Sequence, residues 1–174
     1  VPAAPATKAE GVYSGTLTGS TSKAFQLLVL ENDEFWGMYG TSAPNSFLVA
    51  GYIQGQGASN NGSFTSSNVK DFGTVPPTSG TVTANYVVKT SISGTIAASS
   101  GSVTFSGAPI VASTYDYNTP ANLSAITGNW SLGALDGTSV ALTIATNGAL
   151  TGTSGGRSFT GTLTPRPSGK NVFN

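Results

Sequence analysis

The sequence predicts an all-β protein, either an antiparallel β-barrel or two packed β-meanders with an internal pseudo-repeat. Three observations carry that prediction. Apolar residues recur with a period of two, Asn-Gly, Asp-Gly and Gly-Gly pairs fall between the alternating runs, and helix signals are nearly absent. Val82, Ala84, Tyr86 and Val88 alternate with Thr81, Thr83, Asn85 and Val87. Ile92, Gly94 and Ile96 alternate with Ser91, Ser93 and Thr95, and Val140, Leu142 and Ile144 with Ser139, Ala141 and Thr143. Each run is a strand with one buried and one wetter face.

Turn chemistry separates these strands. Glu31-Asn32-Asp33, Asn61-Gly62, Ser99-Ser100-Gly101, Asp136-Gly137, Asn147-Gly148 and Gly155-Gly156 are tight-turn sequences, because Asn, Asp and Gly tolerate the positive φ that hairpins need. The one helical signal is Thr119-Pro120-Ala121-Asn122-Leu123, with Thr119 as cap and Pro120 in the first turn, read as a connector. Residues 1–9, opening Val1-Pro2-Ala3-Ala4-Pro5-Ala6, read as a flexible Pro/Ala-rich spacer, and 10–174 as a single all-β domain.

That domain divides into related halves, about 11–115 and 127–174. Gly11-Val12-Tyr13-Ser14 matches Gly128-Asn129-Trp130-Ser131. Each is followed by an apolar strand (Leu28-Val29-Leu30, Leu142-Thr143-Ile144) and an Asn-containing turn at Asn32 or Asn147. The second half is shorter, and its Asn171-Val172-Phe173 begins a strand with no evident partner. That segment is expected to pair with the N-terminal segment, to pair with a neighbouring molecule as an assembly segment, or to continue beyond Asn174.

Composition narrows the chemistry. The 174 residues include no His and no Cys, and seven basic side chains balance seven acidic ones. A Ser-His-Asp triad, a His or Cys zinc site and a disulfide framework are thereby excluded, and no stripe of positive charge exists for nucleic acid. No apolar run is long enough for a membrane-spanning helix. No catalytic residue, metal site or cofactor is assigned.

The remaining candidates concern surfaces. Phe35, Trp36 and Tyr39 form an aromatic-rich stretch that would stack on a surface glycan or anchor a protein partner if exposed. Glu31-Asn32-Asp33-Glu34 is the only local acidic cluster, and it reads as a solvated hairpin turn because it lacks the glycine and spacing of a calcium loop. Trp130 is expected to be buried, and at least one of Phe35 and Trp36 exposed, since they alternate. Asn61-Gly62-Ser63, Asn122-Leu123-Ser124 and Asn129-Trp130-Ser131 satisfy the N-glycosylation pattern.

Gly128-Asn129-Trp130 resembles the G-x-W signature that opens lipocalin-like barrels, whose Trp closes the barrel floor, with Arg157 or Arg166 as loose matches to its basic partner. That resemblance implies a small apolar ligand. A wider stretch, Leu28-Val29-Leu30-Glu31-Asn32-Asp33-Glu34-Phe35-Trp36-Gly37-Met38-Tyr39-Gly40 with Thr162-Leu163-Thr164-Pro165-Arg166-Pro167, is similar to uncharacterised secreted lipoproteins of Gram-negative bacteria. This likeness implies a lipid anchor upstream of Val1, a secreted or outer-surface location, and a further strand beyond Asn174. The group tends to carry Cys where Arg157 stands, so a family disulfide does not transfer. The function expected from these readings is a non-enzymatic structural or adhesive β-protein that self-associates through strand exchange, with a lipocalin-like or sugar-binding barrel as the alternative.

Overall fold

The computed structural model describes residues 8–44, 46–99 and 101–174, which form two compact units divided between Ile110 and Val111. The first unit contains β1 (Gly11–Thr18), β2 (Ala24–Val29), β3 (Glu34–Ala43), β4 (Ser46–Gln56), β5 (Ala58–Asn60), β6 (Ser63–Asp71), β7 (Thr78–Val87), β8 (Ser91–Ala98) and β9 (Gly101–Pro109). The second contains a 3-10 turn (Leu123–Ala125) followed by β10 (Gly128–Gly133), β11 (Ser139–Ile144), β12 (Ala149–Ser154) and β13 (Arg157–Thr162). Every strand pairing is antiparallel. The single domain expected over 10–174 thus resolves into two units, because the first closes its hydrogen bonding on itself.

Closure makes β1–β4 and β6–β9 an eight-stranded barrel. At one junction β1 pairs with β9 from Tyr13 opposite Pro109 to Thr18 opposite Thr104. At the other, β4 meets β6 only at Ile53 opposite Asp71 and Gln54 opposite Lys70, since β6 bulges between Ser66 and Val69. Side chains complete that seam. The Gln56 N–H donates to Asn68 Oδ1 (2.8 Å), and the Ser66 hydroxyl donates to the Gln56 carbonyl (2.8 Å). The short β5 then continues along β6 to the Asn61-Gly62 turn, where both residues have positive φ (44° and 93°).

Period-two alternation fills the interior. Tyr13, Phe25, Leu27, Val29, Phe35, Phe64, Val82, Tyr86, Ile92 and Phe105 point inward and are buried. Each large side chain removed from water contributes roughly 1.5–3 kcal/mol. Glycine admits the rings. A β-carbon on Gly107 would lie 2.7 Å from Phe25 Cζ, and one on Gly55 would lie 2.6 Å from Phe35 Cζ. The rings then meet edge to face, Phe25 with Phe105 at 5.6 Å and Phe35 with Phe64 at 5.7 Å.

Residues 1–7 of the expected spacer lie outside the described residues, but its end is not a spacer. Ala9 is fully buried; its N–H donates to Ser59 Oγ (3.0 Å), and its carbonyl accepts from the Tyr13 hydroxyl (2.9 Å). Pairing of both backbone groups is what allows this small residue to join the core. The connector is also capped differently from expectation. Asn122, not Thr119, caps the 3-10 turn, its Oδ1 accepting the Ser124 N–H (3.0 Å), while the Thr119 hydroxyl donates to the Asp116 carbonyl.

The pseudo-repeat extends to individual hydrogen bonds. In the β2–β3 hairpin Leu30 N–H donates to Glu34 O and Asp33 N–H to Leu30 O; in the β11–β12 hairpin Ala145 donates to Ala149 and Gly148 to Ala145. Asn32 and Asn147 each accept the N–H two residues on, and Asp33 (φ 64°) corresponds to Gly148 (φ 82°). This is the three-residue hairpin loop that ends in a left-handed residue. At the strand starts, Tyr13 Oη donates to the Ala9 carbonyl and Trp130 Nε1 to the Ile126 carbonyl (2.8 Å), each four residues earlier across a positive-φ glycine. The strands β10–β13 therefore repeat β1–β4 as an open sheet in consecutive order.

Gly107→Ala is expected to destabilise the barrel by about 1–3 kcal/mol, because the new β-carbon meets both the Phe25 ring and the Ser14 backbone oxygen. Gly133→Ala, with nothing within 4 Å, should stay within about 0.5 kcal/mol of the parent. Chemical denaturation followed by tryptophan fluorescence checks both.

Candidate functional site

Eight strands is the size at which a barrel is either filled by its own side chains or left with room for one small ligand. This interior is not filled. A cavity of about 510 Å³ is walled by Phe25, Leu27, Ile53, Val82, Ile96 and Phe105. Small residues at Gly37, Ala50 and Ala98 line it where larger ones would fill it. The volume falls in the range of roughly 300–1,000 Å³ typical of small-molecule sites.

The two ends of the barrel differ. At the closed end Tyr13, Val29, Phe35, Tyr86 and Ile92 pack together, and Asp33 locks the chain over them. Asp33 pairs with Lys8 (3.2 Å), accepts the Ser59 hydroxyl (2.7 Å), and its carbonyl accepts the Gly57 N–H (2.9 Å). The expected solvated turn is therefore a hairpin with a buried carboxylate, because Lys8 and Ser59 supply its hydrogen bonds in place of water. At the other end Ser20, Thr21, Ser22, Thr74 and Thr78 line the cavity with hydroxyls.

Between the hydroxyl rim and the apolar walls stands one polar pair. The Tyr39 hydroxyl donates to Asp71 Oδ1 (2.7 Å), and the Gly73 N–H donates to the same oxygen (2.8 Å). Strand β3 turns Tyr39 inward and the end of β6 brings Asp71 across the seam. Glycine makes room here too: a β-carbon on Gly51 or Gly73 would lie 2.3 or 1.9 Å from the phenol oxygen. Asp71 is the one charged residue in the cavity lining among the described residues.

The sequence candidates are distributed differently. Phe35 and Tyr39 face the barrel interior and Trp36 the exterior, since successive residues of a strand point to opposite faces. Phe35 is core, Tyr39 lines the cavity, and Trp36 lies outside, 41% exposed, its Nε1 donating to Glu34 Oε1 (3.1 Å). The outer face gives Trp36 other neighbours: Met38 lies on the same strand face and pairs with Tyr52, which stacks on Phe72 at 4.9 Å. Nothing in the spacing of the sequence marks that grouping, because register across strands creates it.

Trp130 is 44% exposed rather than buried, since β10 belongs to the open sheet and not to a barrel. The floor position that its G-x-W resemblance implied is taken by Tyr13, the matching aromatic of the first half. Cross-strand pairing sets Trp130, Leu142, Gly152 and Phe159 in one row, with Leu132 and Val140 beside them. Of these, Trp130, Leu132 and Phe159 are exposed.

Asn171, Val172 and Phe173 do have partners. Phe173 bridges Pro165, Arg166 N–H donates to Val172 O (2.8 Å), and Asn171 N–H donates to Tyr117 O (3.0 Å). The Tyr115 hydroxyl also donates to the Asn171 carbonyl. The chain end thus folds back on its own unit, with the backbone groups of Asn171 and Val172 bonded locally. Among the sequons, Asn122 Oδ1 is engaged as a cap and Asn129 Oδ1 accepts the Thr143 hydroxyl (2.9 Å), whereas Asn61 stands exposed in its turn.

No helix among the described residues is long and apolar enough to cross a membrane. Comparison with protein families, curated proteins and solved structures finds no match.

Burial sets the ionisation of the inward phenols. Tyr13 is pushed up to about 12, chiefly by desolvation, with Tyr86 and Glu10 adding to it. Tyr39 is raised by burial, then by its hydrogen bond to Asp71 and that group's negative charge. Folded-state values above the ordinary 10.0 mean that both phenols stabilise the fold fully below pH 10. That contribution is lost as pH rises through the folded values, because the unfolded chain releases these protons first. Phenolate absorbance should therefore show Tyr13 and Tyr39 ionising only with unfolding, and Tyr13→Phe should make alkaline unfolding less steep.

Proposed function

We propose that the barrel is a binding protein for a small, largely apolar molecule held inside the cavity, and that the chain acts by binding rather than by catalysis in an exported, surface or secreted setting. The observation that carries this reading is the apolar cavity of about 510 Å³ within a closed barrel, ringed by hydroxyls at one end. Burial of an apolar ligand against Phe25, Ile53, Val82 and Phe105 supplies the affinity. Three carboxylates are engaged by the fold itself: Asp33 locks the closed end, Asp71 holds Tyr39, and Asp136 accepts the Thr138 N–H and hydroxyl, which draw its pKa down.

An environment-sensitive apolar dye titrated into the protein tests the reading. It should bind at one site with a rise in fluorescence. Ala98→Trp, which fills the cavity with an indole, should weaken binding at least about tenfold, the loss expected when roughly 1.4 kcal/mol of contact is removed. Unaltered dye binding in that variant, with its fold intact, would place the dye elsewhere and count against the proposal.

A second reading, self-association, is favoured by the open sheet. Its apolar row with Trp130, Leu132 and Phe159 is exposed, and β10 and β13 are sheet edges. The contact would be between these faces in two copies and not through Asn171–Phe173, which folds back against Pro165, Arg166 and Tyr117 of its own chain. Sedimentation should then show concentration-dependent association that Phe159→Glu abolishes; a parent protein that stays monomeric at high concentration removes this reading.

A further inference from the structure

We infer that the cavity selects a ligand with a hydrogen-bond-donating head, a long-chain primary amine above all, over a carboxylate of the same length. The inference rests on the binding reading given above and deepens it. The argument is an inventory of donors and acceptors at the inner end of the rim. Tyr39 has one proton, and it is committed to Asp71 Oδ1 at 2.7 Å. Gly73 commits its N–H to that same oxygen at 2.8 Å. What this pair still offers is acceptor capacity: the second carboxylate oxygen of Asp71 and the lone pairs of the Tyr39 oxygen.

An incoming carboxylate finds neither donor free and meets a like charge in a lining with no cation among the described residues. Lys23 and Lys70, next in sequence to the lining residues Ser22 and Asp71, are engaged elsewhere: Lys23 donates to the Ser20 carbonyl (2.6 Å) and Lys70 to Ser79 Oγ (2.7 Å). Neither lysine lines the cavity. An ammonium, in contrast, brings three donors to an acidic group flanked by apolar walls, where a charge-assisted hydrogen bond is strong. A neutral hydroxyl head brings one donor and no charge.

The pair is also held rigidly enough to discriminate. The phenol packs against Gly51 and Gly73, with no room for a β-carbon at either, and this close fit holds its proton toward Asp71. The apolar chain of the ligand would extend from this point toward Val82, Ile92 and Phe105.

Displacement of the bound apolar dye by decylamine, decanol and decanoate, each below its micelle concentration, tests the inference on the full chain. The expected order is amine, then alcohol, then carboxylate, with the amine at least about tenfold tighter than the carboxylate. Asp71→Asn should retain the dye and the alcohol while bringing amine and carboxylate within about threefold of each other. Because Asp71 also anchors Tyr39, Tyr39→Phe serves as the second variant: it leaves the carboxylate in place and should preserve the amine preference. A carboxylate that binds as tightly as the amine in the parent protein overturns the inference. So does an amine preference that survives Asp71→Asn. If no dye enters at all, the cavity reading itself fails; if dye enters and all three heads displace it equally, that reading stands and only the head preference is lost.

Discussion

Closure of the barrel at the β4–β6 seam is the constraint on which the rest of the first unit depends. Each of the other seven junctions is held by six or more backbone pairs, whereas this one has two. An unclosed sheet of this size would expose two strand edges and the apolar inner face together. Ser66, Asn68 and Gln56 take over where the backbone ladder stops, so side chains with modest individual energies hold a topological commitment. The same seam brings Asp71 to Tyr39. Cavity and polar pair both follow from it.

The second unit shows what the same local chemistry yields without closure. The β2–β3 and β11–β12 loops share their backbone bonds, their Asn acceptors and their left-handed residue, and Tyr13 and Trp130 reach back to carbonyls at the same distance in sequence. Yet Tyr13 is 1% exposed and Trp130 is 44% exposed. Local hairpin geometry is thus nearly identical while burial is opposite. The difference lies in four further strands, β6–β9, which cover the inner face of β1–β4, whereas among the described residues β10–β13 form a separate four-stranded sheet.

Much of the fold was legible before the structure. Alternation placed Val82, Ala84 and Tyr86 on the inner face of β7, and turn pairs marked the hairpins at Asn61-Gly62 and Gly155-Gly156. The halves were recognisable from Gly11-Val12-Tyr13 and Gly128-Asn129-Trp130. The candidate site was far less legible. Phe35, Trp36 and Tyr39 are neighbours in sequence, but strand geometry turns Phe35 and Tyr39 to the inner face and Trp36 to the exterior. Asp71, thirty-two positions from Tyr39, gave no sign of its partner. The inward glycines were the available signal: Gly37, Gly51 and Gly55 alternate in register with large residues, a pattern that leaves space as well as fitting rings.

What the sequence determined by itself is the local state of the chain: strands from period two, turns from Asn, Asp and Gly, and a chemistry without His or Cys. These follow from interactions within a few residues, which any window of sequence contains. Only the tertiary structure decided that one set of four strands closes with four more while β10–β13 form an open four-stranded sheet, that Ala9 belongs to the core, and that the C-terminal segment pairs with Thr164–Arg166 and Tyr117. Those outcomes depend on pairings between residues far apart in the chain, whose loop-closure cost is met only when the whole sheet forms, and no local pattern encodes which distant edge a strand will meet.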